Sequence, residues 1–524
     1  MSDPSGASHT VVVGGGHNGA ICAAYLARSG RRVTLIEARA SLGGCASTED
    51  DLGARFNICN CDHTMVRALP LIEELDLDRH GLSYVEPEYS MVCAFHDDTR
   101  PWLFHHDVER HLDTLALTHP QWVGPYRRYL DDALPVARLL IDIVREQPSI
   151  GLVSTVARLR GRGARRLLAW SRASAREVLE SYFDDWHLWM PAVATGPTVW
   201  GVPPEVPGTG LAAAGYATRH LIRMGRPVGG SGRLVDAVEA SLTAAGGRVV
   251  LGRTVRSLVL DGGRVTGVDL DDGSRVACDL VVAACDPKRV FADWLSDVPE
   301  AARSQVDEWR ERPEVDGYES KLDMVVIGLP EMRWHRELVD IVGDVDDLGP
   351  TTVVSPSPDG LREAHRLRAS GEVVAQPTLL FNCPTVIDQA MQVNRDEHVL
   401  SLEVLFTPYN HPWSRSTEPS RWLEVLEGLC TPGTLKVERW RAMTPDVYER
   451  EFLMHRGHTP AFNGPPLHTL LGRPKDLTRY RTEIDGLFLS GAATFPGAGV
   501  FGGAGRNAAR AVLASKPRRD LIQV

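Results

Sequence analysis

Gly14, Gly16 and Gly19, the carboxylate of Glu37, and a second glycine series at Gly491, Gly497, Gly499, Gly502, Gly503 and Gly505 are the residues of this 524-residue chain whose types and spacing most constrain a chemistry. A residue without Cβ lets backbone N–H groups come close to a pyrophosphate, and a helix that starts at such a turn adds the positive end of its dipole. Residues 9–13 are a β-branched run that suits a buried parallel strand, and residues 20–29 read as a helix with small residues on its first turn. A second strand, 32–36, delivers Glu37 near the spacing at which a carboxylate accepts the hydroxyls of an adenosine ribose. This pattern predicts a dinucleotide site. His17, inside the phosphate loop, is expected to be positional and not an acid or base.

Ribose recognition is common to NAD and FAD, so the choice rests on the rest of the pattern. Arg39, Gly43 and Gly44 follow Glu37 in a loop whose backbone must pass close to the cofactor. At the other end, residues 486–490 form a strand running into Gly491 and Ala492, and Gly499, Val500 and Gly502 lead to a small-residue helix over 506–513. Such a helix N-terminus suits the pyrimidine edge of an isoalloxazine, where it would stabilise negative charge on the reduced ring. The two ends together predict FAD, held from both ends of the chain.

The stretch Gly491-Ala492-Ala493-Thr494-Phe495-Pro496-Gly497-Ala498-Gly499-Val500-Phe501-Gly502 resembles the C-terminal flavin motif of the bacterial phytoene desaturases, and residues 13–19 resemble the same superfamily. Residues 80–87 and 229–238 resemble the phytoene-dehydrogenase-related group that includes the animal pyridine-nucleotide-disulfide-oxidoreductase-domain protein two. The resemblance spans nearly the whole chain, strongly at both ends and weakly over 100–220 and 300–470. It implies a non-covalently FAD-dependent oxidoreductase and, by carry-over, adenine contact by the backbone at Val255. It also implies catalytic positions at Lys321, where some relatives have a lysine, and at Asp62 and His63, where the family's chain passes the flavin. Lys321 adjoins the apolar run 324–329, where a buried ammonium needs an anion, and reduced flavin would be one. The chain departs from the flavin amine oxidases at Ala492, where those enzymes usually carry an acid. No cysteine lies beyond Cys430, which excludes covalent attachment by that route.

The expected fold class is α/β: a discontinuous Rossmann-like FAD-binding domain of the glutathione-reductase-like, two-dinucleotide-binding type, built from 1–95, 221–295 and 476–524. An α+β substrate domain is inserted as 96–220 and 296–475. Trp102, Trp122, Tyr126, Tyr129, Trp170, Tyr182, Trp186, Trp189, Trp200 and Tyr216 concentrate in the first insertion; they suit either the wall of an apolar substrate cavity or that insertion's own core. Seven arginines interleave with apolar residues over 153–176, which suits a solvated lid helix or peripheral membrane contact.

A net charge of −11 argues against nucleic-acid binding, and no long uncharged apolar run suggests a transmembrane helix. Nine cysteines without a C-x-x-C motif argue against a structural metal and a disulfide reductase, and favour small thiols in a reducing cytoplasm. The arginine-rich basic set, with only five lysines, suits a GC-rich bacterial genome. The expected activity is that of an FAD oxidoreductase of bacterial specialised metabolism acting on a hydrophobic, polyene-like small molecule. Desaturation and flavin-hydride-driven isomerisation or cyclisation, as in polycyclic tetramate macrolactam pathways, remain open, as does NAD(P)H as reductant. Carotenoid desaturation proper, amine or amino-acid oxidation and a flavin-stabilised partner protein are the alternatives.

Overall fold

The computed structural model describes residues 8–515 apart from 60, 149–160, 195–200, 393, 460, 463 and 465. The β-branched runs pair as expected into one parallel sheet of five strands, in the order Leu487–Leu489, Leu280–Ala283, His9–Val13, Arg32–Ile36, Arg248–Val250. Both faces are covered, so every strand but the edge strand Arg248–Val250 is buried almost end to end. On one face the helix His17–Arg28 packs with the C-terminal helix Gly503–Leu513 and with Arg233–Ala244. Ala20, Ala23, Ala24 and Ala27 of the first share one buried cluster with Ala508 and Ala509 of the second, where Gly505 comes against Asn18, and these small residues let the two axes approach closely. A three-stranded meander, Val255–Asp261, Arg264–Leu270 and Arg275–Ala277, covers the other face, with its second turn at Asp271 to Gly273 as the sequence predicts.

The second sheet is mixed and has seven strands: Val437–Met443, Glu319–Ile327, Glu397–Leu405, Leu379–Asn382, Thr351–Ser355, Tyr89–Phe95 and Trp102–His105. It corrects the expected boundary at residue 95. Tyr89–Phe95 pairs in parallel with Thr351–Ser355 and so belongs to this second sheet. In Glu319–Ile327 the period of two divides the faces: Leu322, Met324 and Val326 join Leu400, Leu402 and Val404 in one apolar cluster, while Lys321 and Asp323 turn the other way beside Glu403 and Ser401.

The first insertion is helical, and its rings are mainly core. Trp102, Tyr126, Tyr129 and Tyr216 are fully buried in one cluster with Trp122, Trp170 and Trp189, while Tyr182 and Trp186 pack at its edge. The hydroxyls of Tyr129 and Tyr216 donate to the carbonyls of Ala213 and Leu188 at 2.6 and 2.9 Å. Trp200 lies outside the described residues. Of the arginine-rich segment, residues 153–160 lie outside the described residues as well; Arg162–Trp170 is a helix that buries Leu167 and Trp170 and exposes Leu168.

Candidate functional site

At the carboxyl ends of the parallel strands the three fingerprint glycines have separate physical roles. Gly14 sits at φ +101°, and a Cβ there would stand 2.8 Å from the carbonyl oxygen of Ala284; a Cβ on Gly19 would stand 1.9 Å from that of Gly14. Both positions hold strand and helix together. Gly16 differs, because a Cβ there would meet nothing within 4 Å. That open space lies at the N-terminus of the helix His17–Arg28, where a pyrophosphate is held in dinucleotide sites.

The carboxylate of Glu37 is fixed by two backbone donors, Gly15 N–H at 2.6 Å and Arg39 N–H at 2.8 Å. Arg253 N–H and Gly252 N–H donate to the carbonyls of Glu37 and Arg39, which places the start of the Val255 strand beside this corner, with Val255 itself buried. Arg39 pairs with Glu49 and lies over the Phe452 ring, and its buried Nη1 has no partner among the described residues. Gly43, at φ +121°, donates its N–H to Gly15 at 2.9 Å, and Gly44 abuts Gly16.

The other end of the chain closes on this corner as expected. Gly491, at φ +94°, packs against Ala284, and the carbonyl of Ala492 accepts from Phe462 N–H at 3.0 Å. Burial drives the pKa of the His17 ring down to about 4, and its bond to the carbonyl of Gly499 opposes the fall only in part. Val500 packs at the edge of the helix cluster. Gly502, in the left-handed region, leaves no room for a Cβ against Ile21 and Leu71. An open Gly16, a spare Arg39 donor and a fixed Glu37 carboxylate fit the pyrophosphate and adenosine ribose of FAD, which those residues would hold.

The polar face of the seven-stranded sheet approaches the same region. Lys321 is 1% exposed and donates to the carbonyl of Asn57 at 2.5 Å and to Asp323. Asp323 also accepts both Nε and Nη2 of Arg441, at 3.0 and 2.9 Å. The anion that a buried ammonium requires is thus supplied by the chain itself, so the flavin is not needed for that purpose. Asp62 pairs with Arg226 at 2.7 Å and accepts Thr351 Oγ1 at 2.6 Å; burial pushes its pKa up, the Arg226 charge overrides this, and the carboxyl stays below its usual range. His63 is fully buried, with Nε2 2.7 Å from Ser231 Oγ and Nδ1 3.2 Å from the Tyr84 hydroxyl. Burial first, and the neighbouring His17 second, lower its pKa to about 3. Lys321, Asp62 and His63 are thus each already engaged with groups of the chain itself.

Two carboxyls that sequence reasoning passed over have no such partner. Glu403 stands opposite Lys321 in the sheet, and Glu319 lies two residues before it on the same face. Neither accepts a hydrogen bond or ion pair from a described residue. Burial, then Glu319, raises Glu403 to about 8, with Lys321 opposing; burial, then Cys45, raises Glu319 to about 7. Glu319 lines a cavity with Cys59, Tyr318, Tyr448, Met454, Gly457 and Thr459. Carboxyls so placed can hold and release a proton near neutral pH. The available signal was charge at every second position, Glu319, Lys321 and Asp323, and the single acid Glu403 between Leu402 and Val404.

A family model for flavin containing amine oxidoreductases matches residues 19–309, more than half of the chain. The chain belongs to that family. As a member of it the chain is an FAD-dependent oxidoreductase, and its full-length likenesses include phytoene desaturases. It is 26% identical to pyridine nucleotide-disulfide oxidoreductase domain-containing protein 2 of Rattus norvegicus, over 96% of this chain and 93% of that one. A limonene dehydrogenase polypeptide of Castellaniella defragrans is 26% identical over 96% and 94%, and the neurosporene-forming phytoene desaturase of Rhodobacter capsulatus 24% over 94% and 91%. The fold matches that of a putrescine oxidase at TM-score 0.60, with 16% identity over 97% of this chain and 99% of the other. These findings agree with the phytoene-desaturase resemblance and the FAD expectation.

Proposed function

We propose that this FAD oxidoreductase withdraws hydrogen from, or returns it to, an apolar unsaturated small molecule of bacterial specialised metabolism. The observation that carries the reading is the full-length likeness to two proteins whose names join a hydrocarbon to the loss of hydrogen, limonene dehydrogenase and phytoene desaturase. The site supports it. The cofactor supplies hydride chemistry when bound; Glu403 and Glu319, held partly protonated by burial, are placed to take up or return the accompanying proton, and the Lys321–Asp323–Arg441 network fixes the strand that carries Glu319. In this reading the cofactor domain is of the glutathione-reductase-like type, its contacts run through Gly14, Gly16, Gly19, Glu37, Arg39, Gly43, Gly44, Val255, Gly491, Ala492, Gly499, Val500 and Gly502, and the net outcome is desaturation or a hydride-initiated isomerisation or cyclisation. NAD(P)H as reductant and peripheral membrane contact through 153–176 belong to the same proposal.

The test is anaerobic mixing of the yellow holoenzyme with terpenoid and polyene compounds in detergent. Bleaching of the flavin, with a product two hydrogens lighter, supports desaturation; an isomer of unchanged mass formed only with pre-reduced enzyme supports the redox-neutral branch. A second reading, amine oxidation, draws on the family model and on the two unpaired carboxyls, which could face an ammonium. Bleaching by simple amines and not by polyenes would establish it in place of the first.

A further inference from the structure

Strand register sets out one row of side chains across a face of the seven-stranded sheet: Cys93, Val353, Leu380, Glu403 and Lys321, each the direct cross-strand partner of the next. Cys93, Val353 and Leu380, with Leu405 two residues on from Glu403, belong to the apolar cluster of the helical insertion. Lys321 lies under the carbonyl of Asn57, and Cys61 and Asp62 of the same segment reach Asn382 and Thr351. Glu403 stands where the two coverings meet. Its lateral neighbours Lys321 and Leu380 are 1% and 9% exposed. Glu403, on a strand paired along both sides, keeps accessible surface and accepts no hydrogen bond or ion pair from a described residue. A residue in the interior of a sheet stays accessible only where the layer over it is incomplete. The row thus ends an apolar wall in one unpaired carboxyl that faces an opening.

We infer that the substrate of this oxidoreductase is not a bare hydrocarbon but carries a carbonyl oxygen, to which the Glu403 carboxyl donates a hydrogen bond. The inference rests on the apolar, unsaturated ligand of the preceding reading and narrows it. A hydrocarbon filling the opening would strip water from the carboxyl and give nothing back, whereas a carbonyl oxygen restores the lost hydrogen bond. The carboxyl is a donor because it holds its proton: burial, then Glu319, raises it to about 8, with Lys321 opposing. The titratable and charged groups around it are Glu319, Lys321 and Asp323 on the neighbouring strand, Cys59, Cys61 and Asp62 on the covering segment, and Tyr448 of the helix Pro445–Phe452. Leu379–Asn382, on its other side, brings none. Lys321, the cation among them, is engaged by Asp323.

The test compares limonene with carvone, which has the same carbon skeleton and one added carbonyl, by isothermal titration calorimetry of the holoenzyme below pH 7. An apolar opening alone would rank the more hydrophobic limonene first; the expected result is that carvone binds about tenfold more tightly or better. Glu403→Leu is expected to reverse the order. Glu403→Gln keeps an N–H donor and should retain the carvone preference at every pH, whereas wild type loses it as pH rises through about 8. Limonene bound as tightly as carvone, or a preference that survives in Glu403→Leu or in wild type at high pH, would overturn the inference. Tighter binding of carvylamine than of carvone would overturn it in favour of an ammonium ligand. If Glu403→Leu does not fold, the pH profiles of wild type and Glu403→Gln decide. Bleaching of the flavin by bare polyene hydrocarbons that bind equally well to Glu403→Leu would leave the preceding reading standing and this one overturned. Failure of every unsaturated compound to bleach it would strike that reading without changing the order of binding.

Discussion

The backbone N–H of Gly505 reaches the side-chain oxygen of Asn18 at 3.3 Å, joining two residues 487 positions apart in the chain. A Cβ at Gly505 would stand 2.1 Å from the Asn18 carbonyl oxygen, so this contact exists only because one partner has no side chain. It fixes the helix at each end of the chain against the other, and the cofactor corner lies above them.

Replacing Gly505 with valine is therefore expected to destabilise the fold by at least the roughly 1–3 kcal/mol typical of overpacking and to lower the flavin content of purified protein. Truncation at about residue 480, which removes Leu487–Leu489 and Gly503–Leu513, should abolish flavin binding outright. The ratio of flavin absorbance to protein absorbance reads both; a truncated chain with unchanged flavin affinity would refute the two-ended cradle.

Gly16→Val should behave differently. Its backbone is at φ −60°, ψ 163°, which any residue adopts, and its Cβ direction is open. The variant is expected to fold with a near wild-type melting temperature in the absence of flavin, yet to purify colourless, because the new side chain occupies the space left for the pyrophosphate. Retained FAD would place the cofactor elsewhere.

Lys321→Met removes one partner of the buried Asp323 and leaves Arg441 in place. Loss of one member of a buried pair costs about 3–5 kcal/mol, and the remaining arginine argues for the lower end of that range. Urea denaturation followed by tryptophan fluorescence measures it. A variant as stable as wild type would mean that the ammonium is not needed to balance the network.

The pH dependence follows from Glu319 and Glu403, raised to about 7 and about 8 from an ordinary value of 4.5. Between those limits the folded chain holds protons that the unfolded chain has released, so their contribution to stability is largest below about pH 4.5 and falls as pH rises through 7 and 8. Glu403→Gln removes its share of the slope. Melting temperatures should coincide for variant and wild type near pH 4 and favour the variant near pH 9; parallel curves would show that Glu403 is not perturbed by burial.

The cradle was legible in the sequence because its requirements are local: a left-handed turn at Gly14, a close approach at Gly19 and an acid at the end of a strand can each be read within a few residues. The charged face was legible only in part. Lys321 stood out against an apolar run, but its counter-ion two residues on and the carboxyl of Glu403 across the sheet depend on strand register, which brings together residues 82 positions apart. The boundary expected at 95 failed for the same reason, since the partner of Tyr89–Phe95 is Thr351–Ser355. The tryptophans and tyrosines were recognisable as a cluster, but whether rings face a void or one another depends on how helices pack, which composition does not specify.

The position of Tyr89–Phe95, between Thr351–Ser355 and Trp102–His105, constrains how this molecule can be recombined. A hybrid with a relative made by one crossover after residue 300 would build a single sheet with ribs from two parents, mated at Tyr89–Phe95 against Thr351–Ser355. Transplanting the seven-stranded sheet intact requires two cassettes exchanged together, the first starting before Tyr89, whereas the cofactor corner is inherited only when the first and last segments come from the same parent.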